Sequence, residues 1–320
     1  MSEGREDRRD REDRDAREDQ NERPTPSRPL ARVVTTPPPA PGFIGEGHTA
    51  VEVVAPSDLR ASDPFVLLMD DRLDIARRRA IGGPHPHAGL ETVTFVLEGT
   101  LHDRDEGALG AGDVVWMTAG RGIIHNEAVE ATGRSRIFQL WIGLAARDRE
   151  APPRFEIIRK DDAPVVRGPG VEARLYSGAS GPLRSATRNH VPVTMLDVRL
   201  EPLSRFEQDL PAAYNGLVYV IEGSVRIAED TLQAGQVGWF APSDQTALVA
   251  SAGERGARLV LYAGQPLGEP LVQHGPFVAG SRAEIDELYR RFRRGQFTSM
   301  HDLAQAQARS KTDEKERITA

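Results

Sequence analysis

The chain has 320 residues, a formal net charge of −7, 39% hydrophobic residues and no cysteine. That length fits one or two compact domains, and the acidic balance argues against direct nucleic-acid binding or a membrane-surface role. Without cysteine there are no disulfides, thiolate metal sites, iron–sulfur clusters or cysteine nucleophiles, so any transition metal must be held by His, Asp or Glu. The first stretch, MSEGREDRRDREDRDAREDQNER, alternates charges with no apolar run. It reads as neither an export signal nor a membrane span, and it cannot bury enough apolar surface to offset the entropy of ordering. With the proline-rich PTPSRPLARVVTTPPPAPG that follows, it predicts a disordered extension over 1–42. The cytoplasm is the expected location.

From Gly42 to Gly264, short β-rich runs such as TAVEVVA, ETVTFVLEG, GDVVWM, RIFQLWIGL and GLVYVIEGSVRI alternate with Gly, Pro and Asp turns. This spacing predicts a sandwich or barrel. One helix is predicted from SRAEIDELYRRF, with Ser281 and Glu284 as a capping box and Ile285, Leu288 and Phe292 on one face. The tail 306–320 returns to a solvated composition and is expected to be disordered. The basic runs Arg77–Arg79 and Arg290–Arg294 read as solvated faces.

The middle of the chain repeats itself. TFVLEGTL at Thr94–Leu101 matches VYVIEGSV at Val218–Val225, and GDVVW from Gly112 matches GQVGW from Gly235. Trp116 and Trp239 then correspond, and the offset of about 123 residues implies a duplicated β domain. The expected boundaries are 43–150 for the first copy and 151–305 for the second with the helix. His85, His87 and Glu91 map near Asp209, Pro211 and Asn215, while His125 and Glu127 map near Leu248 and Ala250. The second copy keeps the fold signals and lacks the chemistry.

Residues two apart on a strand share a face. His85 and His87 in GGPHPHAG therefore aim two imidazoles into one interior, and His125 and Glu127 in GIIHNEA do the same. If the strands meet across a barrel, three nitrogens and a carboxylate oxygen converge. Such a set suits a divalent first-row metal with positions left open for substrate or O2. A structural zinc site usually carries more sulfur. His102 reads as exposed, His190 and His274 as structural or surface residues, and Trp116 and Met117 as barrel packing. TAGRGI reads as a tight turn on Gly120 and Gly122, with Arg121 placed to orient a carboxylate.

GGPHPHAGLETVTFVLEG, GDVVWMTAGRGIIHNE, FQLWIGL and GQPLGEPLVQHGPFV together resemble the pirin family of the cupin superfamily over about residues 51–300. The resemblance implies an all-β fold of two tandem cupin jelly-roll barrels with a short C-terminal helix, the first holding one non-haem iron and the second empty. The family's ligands fall on His85, His87, His125 and Glu127. Glu91 is the rival, because in ordinary cupins a glutamate four residues past the second histidine is a ligand; the later His-x-Glu of pirins favours Glu127 and leaves Glu91 just outside the ligand set. Ala88 and Leu90 stand where the family often has Arg and Phe, positions implied to lie near the site entrance.

The implied activity is that of a quercetin 2,3-dioxygenase-like oxidoreductase. Its metal would be Fe(II), with Mn, Co, Ni, Cu and Zn as alternatives, and its substrates O2 and a flavonol or related enolic aromatic compound. Glu127 would double as acceptor of the substrate hydroxyl proton. The alternative is an iron-dependent regulatory protein without turnover, resembling the transcription cofactors among pirins and meeting a protein partner through its charged N-terminal tail.

Overall fold

The computed structural model describes residues 26–42, 45–81, 83–103, 107–126, 129–307 and 309. The charged segment 1–25, most of the tail 306–320 and Glu127 lie outside the described residues. The expected all-β fold of two tandem barrels is present. One sheet has seven strands, in the order Arg154–Ile158, Val114–Thr118, Leu90–Glu98, Val129–Gly143, Phe65–Ile81, His48–Val54 and Ala40–Pro41. A nine-stranded sheet built around Asn215–Ile227 and Ala247–Gly264 forms the second half. No helix among the described residues is long and apolar enough to cross a membrane.

Strand alternation explains how the halves meet. In Leu90–Glu98 the odd positions Val93, Phe95 and Leu97 leave the first barrel and join one apolar cluster with Phe138, Leu140, Tyr176, Tyr219 and Tyr262. The even position Val96 turns inward to Leu73, Leu101, Leu109 and Val115. Both faces of the strand are therefore covered, which is why it reads as a nearly unbroken apolar run. Across the junction Phe138 lies 5.6 Å from Tyr219 and Phe95 lies 5.2 Å from Tyr176, between ring centres. Trp116 packs in this junction, as a packing role requires, and Met117 in a separate cluster with Leu90 and Ile123.

The duplication extends to the polar groups at the junction. In the first half Arg136 pairs across strands with Arg72, and Phe138 with Asp70. In the second half Arg258 pairs with Arg199, and Val260 with Asp197. Each arginine grips its aspartate through two bonds: Arg136 to Asp70 at 2.7 and 2.7 Å, and Arg258 to Asp197 at 3.0 and 3.0 Å. From the second half, the Tyr219 hydroxyl donates to Asp70 at 3.0 Å. Burial foremost, with the Asp70 charge beside it, pushes the Tyr219 phenol up to about 12.

The ends of the chain cross over, which the composition did not foretell. Leu30–Thr35, expected to be disordered linker, is a strand antiparallel to Gln236–Phe240 in the second half. Its partly buried Leu30 and Val33 pack on that half's core, enough apolar surface to order a short charged neighbourhood. The boundary expected at 150 also shifts, because Arg154–Ile158 pairs with Val114–Thr118 and completes the first sheet. The predicted helix forms at Arg282–Arg293, with the Ser281 side chain accepting from the Glu284 backbone N–H. It packs on the first half, where Ile285 and Leu288 cluster with Ala88 and Ile124, together with Phe277 of the C-terminal segment.

Candidate metal centre

Pro84–His87 runs antiparallel to Ile123–Asn126, with His85 opposite His125 and His87 opposite Ile123. Pro84 and Pro86 are tolerated because this strand is the edge of a three-stranded sheet whose far strand is Thr298–Ser299. The pairing gathers the three predicted histidines. Ring centres are 4.8 Å apart for His85 and His87, 5.3 Å for His85 and His125, and 6.1 Å for His87 and His125. His87 and His125 are buried and His85 is partly exposed.

Neighbours orient two of the rings. His85 Nδ1 lies 2.9 Å from the Gly83 carbonyl oxygen, which can only accept, so Nδ1 carries the proton and Nε2 keeps its lone pair. Trp141 meets the His87 ring edge-on at 5.1 Å. Its residue type carried no signal beyond its place in the FQLWIGL motif; only the register of Val129–Gly143 brings it here.

The C-terminal segment braces the same strands. Ala88 bridges Phe277, the Val278 N–H donates to the Ala88 carbonyl at 3.0 Å, and the Thr298 N–H donates to the Gly122 carbonyl at 3.1 Å. Ala88 and Leu90 are consequently fully buried and do not stand at an entrance. Gly89, at φ +76°, passes so close to this brace that a Cβ would sit 1.8 Å from the Val278 carbonyl oxygen. Gly89→Ala is therefore expected to cost about 2 kcal/mol or more in chemical denaturation and to disturb the histidine strand directly before it.

Glu91 is not beside the histidines. As an odd position of its strand it leaves the barrel, accepting from Thr118 Oγ1 at 2.7 Å and from the His190 backbone N–H at 3.2 Å. Its location just outside a ligand set is thus corrected: it is a junction residue. Its counterpart has the same role, because Asn215 pairs with Gly264 as Glu91 pairs with Ile142 and donates across the junction to the Ala61 and Asp63 carbonyls at 2.9 Å each. His190 sits 3.5 Å from Asp148, and His274 lies against Tyr289, both structural; His102 is exposed, as is Arg121.

Burial pushes the Glu91 carboxyl above its ordinary range, against hydrogen bonds from Thr118 and His190 and the nearby Trp116 indole, which stops short of a formed bond. The folded protein then holds this proton more tightly than the unfolded chain does. Stability should fall as pH rises from the ordinary carboxylate pKa through the raised folded one. Glu91→Gln keeps an acceptor for both donors and is expected to flatten that fall, which denaturation midpoints between about pH 4 and 8 would read.

The second barrel supplies an internal contrast. Gln208 stands opposite Leu248 as His85 stands opposite His125, one residue from the alignment made on the ungapped repeat. The equivalent of His87 is Leu210, whose N–H donates to the Thr246 carbonyl. The second interior thus has an amide and two leucines where the first has three imidazoles.

Three imidazoles bound to one ion through nitrogens at about 2.1 Å place their ring centres roughly 4.5–5.5 Å apart. The His85–His87 and His85–His125 separations fall in that range and the His87–His125 separation of 6.1 Å lies above it, so it is the chemistry of the donor set, three imidazoles, that suits a divalent first-row metal. Among the described residues no three His, Asp or Glu groups stand in complete ligand geometry, and the expected fourth donor, Glu127, is outside them.

The chain matches the family described as Pirin over residues 48–142 and the Pirin C-terminal cupin domain over residues 195–298. It is 35% identical over 254 residues to Pirin-1 of Arabidopsis thaliana, covering 77% of this chain and 87% of that protein. The crystal structure of quercetin 2,3-dioxygenase from Acinetobacter baumannii is similar at a TM-score of 0.76 and 26% identity, covering 86% of this chain and 99% of that one. The bacterial pirin YhhW from Escherichia coli, solved in complex with nickel(II), shares the fold at a TM-score of 0.56 and 20% identity, covering 73% of this chain and 99% of that one. Two cupin halves matched in chain order, with a relative more than a third identical over most of both lengths, make this chain a member of the pirin family.

Proposed function

We propose that the chain is a metal-dependent dioxygenase acting on quercetin-like flavonols or related enolic aromatic compounds, with His85, His87, His125 and Glu127 as the metal ligands. The observation that carries this reading is the contrast between the halves: one fold, built twice, gathers three imidazoles in the first barrel and Gln208, Leu210 and Leu248 in the second. A packing role alone would not divide the chemistry this way. The similarity to the Acinetobacter baumannii quercetin 2,3-dioxygenase supports the reaction class.

A bound divalent ion, Fe(II) first among the candidates, would supply Lewis acidity toward a substrate oxygen and a site for O2. The chain's own residues do the remainder. The Gly83 carbonyl fixes which nitrogen of His85 is the donor. Trp141 restrains the His87 ring and, with Met117 and Leu90 in the adjoining apolar cluster, keeps the neighbourhood poor in water. Glu127 accepts the substrate hydroxyl proton when it is not engaged as a ligand.

The test is O2 uptake and quercetin loss by iron-loaded protein, with His125→Ala as control. Turnover in wild type and none in the variant is expected. Equal rates in both would overturn the proposal, and a protein that binds metal without turnover would belong with the regulatory alternative.

A further inference from the structure

A cleft of about 930 Å3 opens where the rim of the second barrel meets Arg60, Ala61 and Asp63 at the one-turn helix Leu59–Ser62 of the first half, with none of the histidines in its lining. That volume is in the range of small-molecule sites, which are mostly apolar with a few placed polar groups. Its walls fit that description: Ala61, Ala212 and Ala213 with Tyr214, Phe240 and Pro242. The polar groups are mainly arginines: Arg28, Arg32 and Arg60 all line it.

None of the three has a carboxylate within 4.0 Å among the described residues, although such pairs are common elsewhere in the chain. Arg28 is 1% exposed, an unusual state for a cation without a counter-charge. Its terminal nitrogens donate to the backbone carbonyls of Pro211, Ala212 and Tyr214 at 3.2, 3.0 and 2.6 Å. Its Cζ lies 5.4 Å from the centre of the Phe240 ring, and its Nε is buried with no hydrogen-bond partner among the described residues. Arg32 lies over the Trp239 ring, 5.1 Å from its centre, which holds that guanidinium against the wall. Arg60 is exposed and comes from the opposite half.

Two acids share the lining, Asp63 and Asp244. Asp63 is already occupied by the Leu267 and Gly268 backbone N–H groups at 2.9 Å each, and Asp244 is exposed. Three guanidiniums less two carboxylates leave one positive charge, which suits a monoanion better than a phosphate dianion. A guanidinium fork matches a planar carboxylate and also stacks on aromatic faces.

We propose that this cleft binds a small aromatic carboxylate, its acid group taken by Arg32 and Arg60 and its ring set against Tyr214 and Pro242, independently of the metal centre. Arg28 contributes fixed positive potential at the inner wall while anchoring the 211–214 loop. Neither Arg32 nor Arg60 is in the core, so replacing them leaves the fold standing.

The test is calorimetric titration of the full chain with 2-naphthoate, and with 2-naphthamide as the neutral analogue of the same shape. Wild type should bind the acid at least about 10-fold more tightly than the amide. The double variant Arg32→Gln with Arg60→Gln should lose at least about 10-fold, while Asp244→Asn should bind about threefold more tightly by removing the opposing charge. Binding of the acid should be unchanged in His125→Ala. No heat up to about 1 mM acid, equal affinity for acid and amide, or an unaltered double variant would each overturn the proposal. Loss in His125→Ala would assign the probe to the histidine site and overturn it too.

Discussion

Arg136→Met is expected to destabilise the protein by about 3–5 kcal/mol, the usual consequence of leaving one member of a buried ion pair without its partner. Asp70 is fully buried and receives two 2.7 Å bonds from Arg136. After the substitution only the Arg72 contact at 3.3 Å and the Tyr219 hydroxyl at 3.0 Å remain among the described residues. Replacing both partners, Asp70→Leu with Arg136→Met, removes the orphaned charge as well and should recover much of the loss. Urea denaturation of the single and double variants measures both. The equivalent change, Arg258→Met, leaves Asp197 slightly exposed at 8%, where water can solvate the carboxylate, so its cost should be smaller. Equal stability of Arg136→Met and wild type would show that the pair contributes nothing to the junction.

The second large effect concerns the proposed metal ligands. His125→Ala should weaken metal binding by at least about 100-fold, the upper end of what losing a mere supporting residue costs. His125 stands opposite His85 and within 5.3 and 6.1 Å of the other two rings, so its removal leaves two imidazoles on a single strand. Metal that binds only the folded state also raises its stability. The thermal shift on adding Ni(II) or Fe(II) should therefore be present in wild type and absent in the variant. Gln208→Ala, at the matching place in the second barrel, should leave metal content and thermal shift unaltered. Elemental analysis alongside the melting curves distinguishes these outcomes, and full metal occupancy in His125→Ala would refute the ligand assignment.

Some of this protein was legible in its residue pattern. Period-two alternation and the matched turns at Gly99 and Gly223 carried the all-β duplicated fold, since alternation follows directly from strand geometry. The His85 and His87 spacing put two imidazoles on one face for the same reason. The capping box at Ser281 and Glu284 marked the helix start, because its bonds lie within one turn.

Other features depend on what lies across the sheet, and no local pattern encodes that. Glu91 has the spacing of a cupin ligand, yet its odd register sends it through the sheet to His190. Leu30–Thr35 looked like linker, because its apolar residues are few and their partners in Gln236–Phe240 lie some 200 residues away. The helix was placed with the second half by chain order, whereas its apolar face fits Ala88 and Ile124 on the first. Periodicity and short-range bonding thus assigned strands, helix and the imidazole pair, being properties of neighbours in sequence. Register, the crossing of both chain ends and the three-arginine cleft were decided by contacts between distant segments, whose free energy exists only once the two halves have packed.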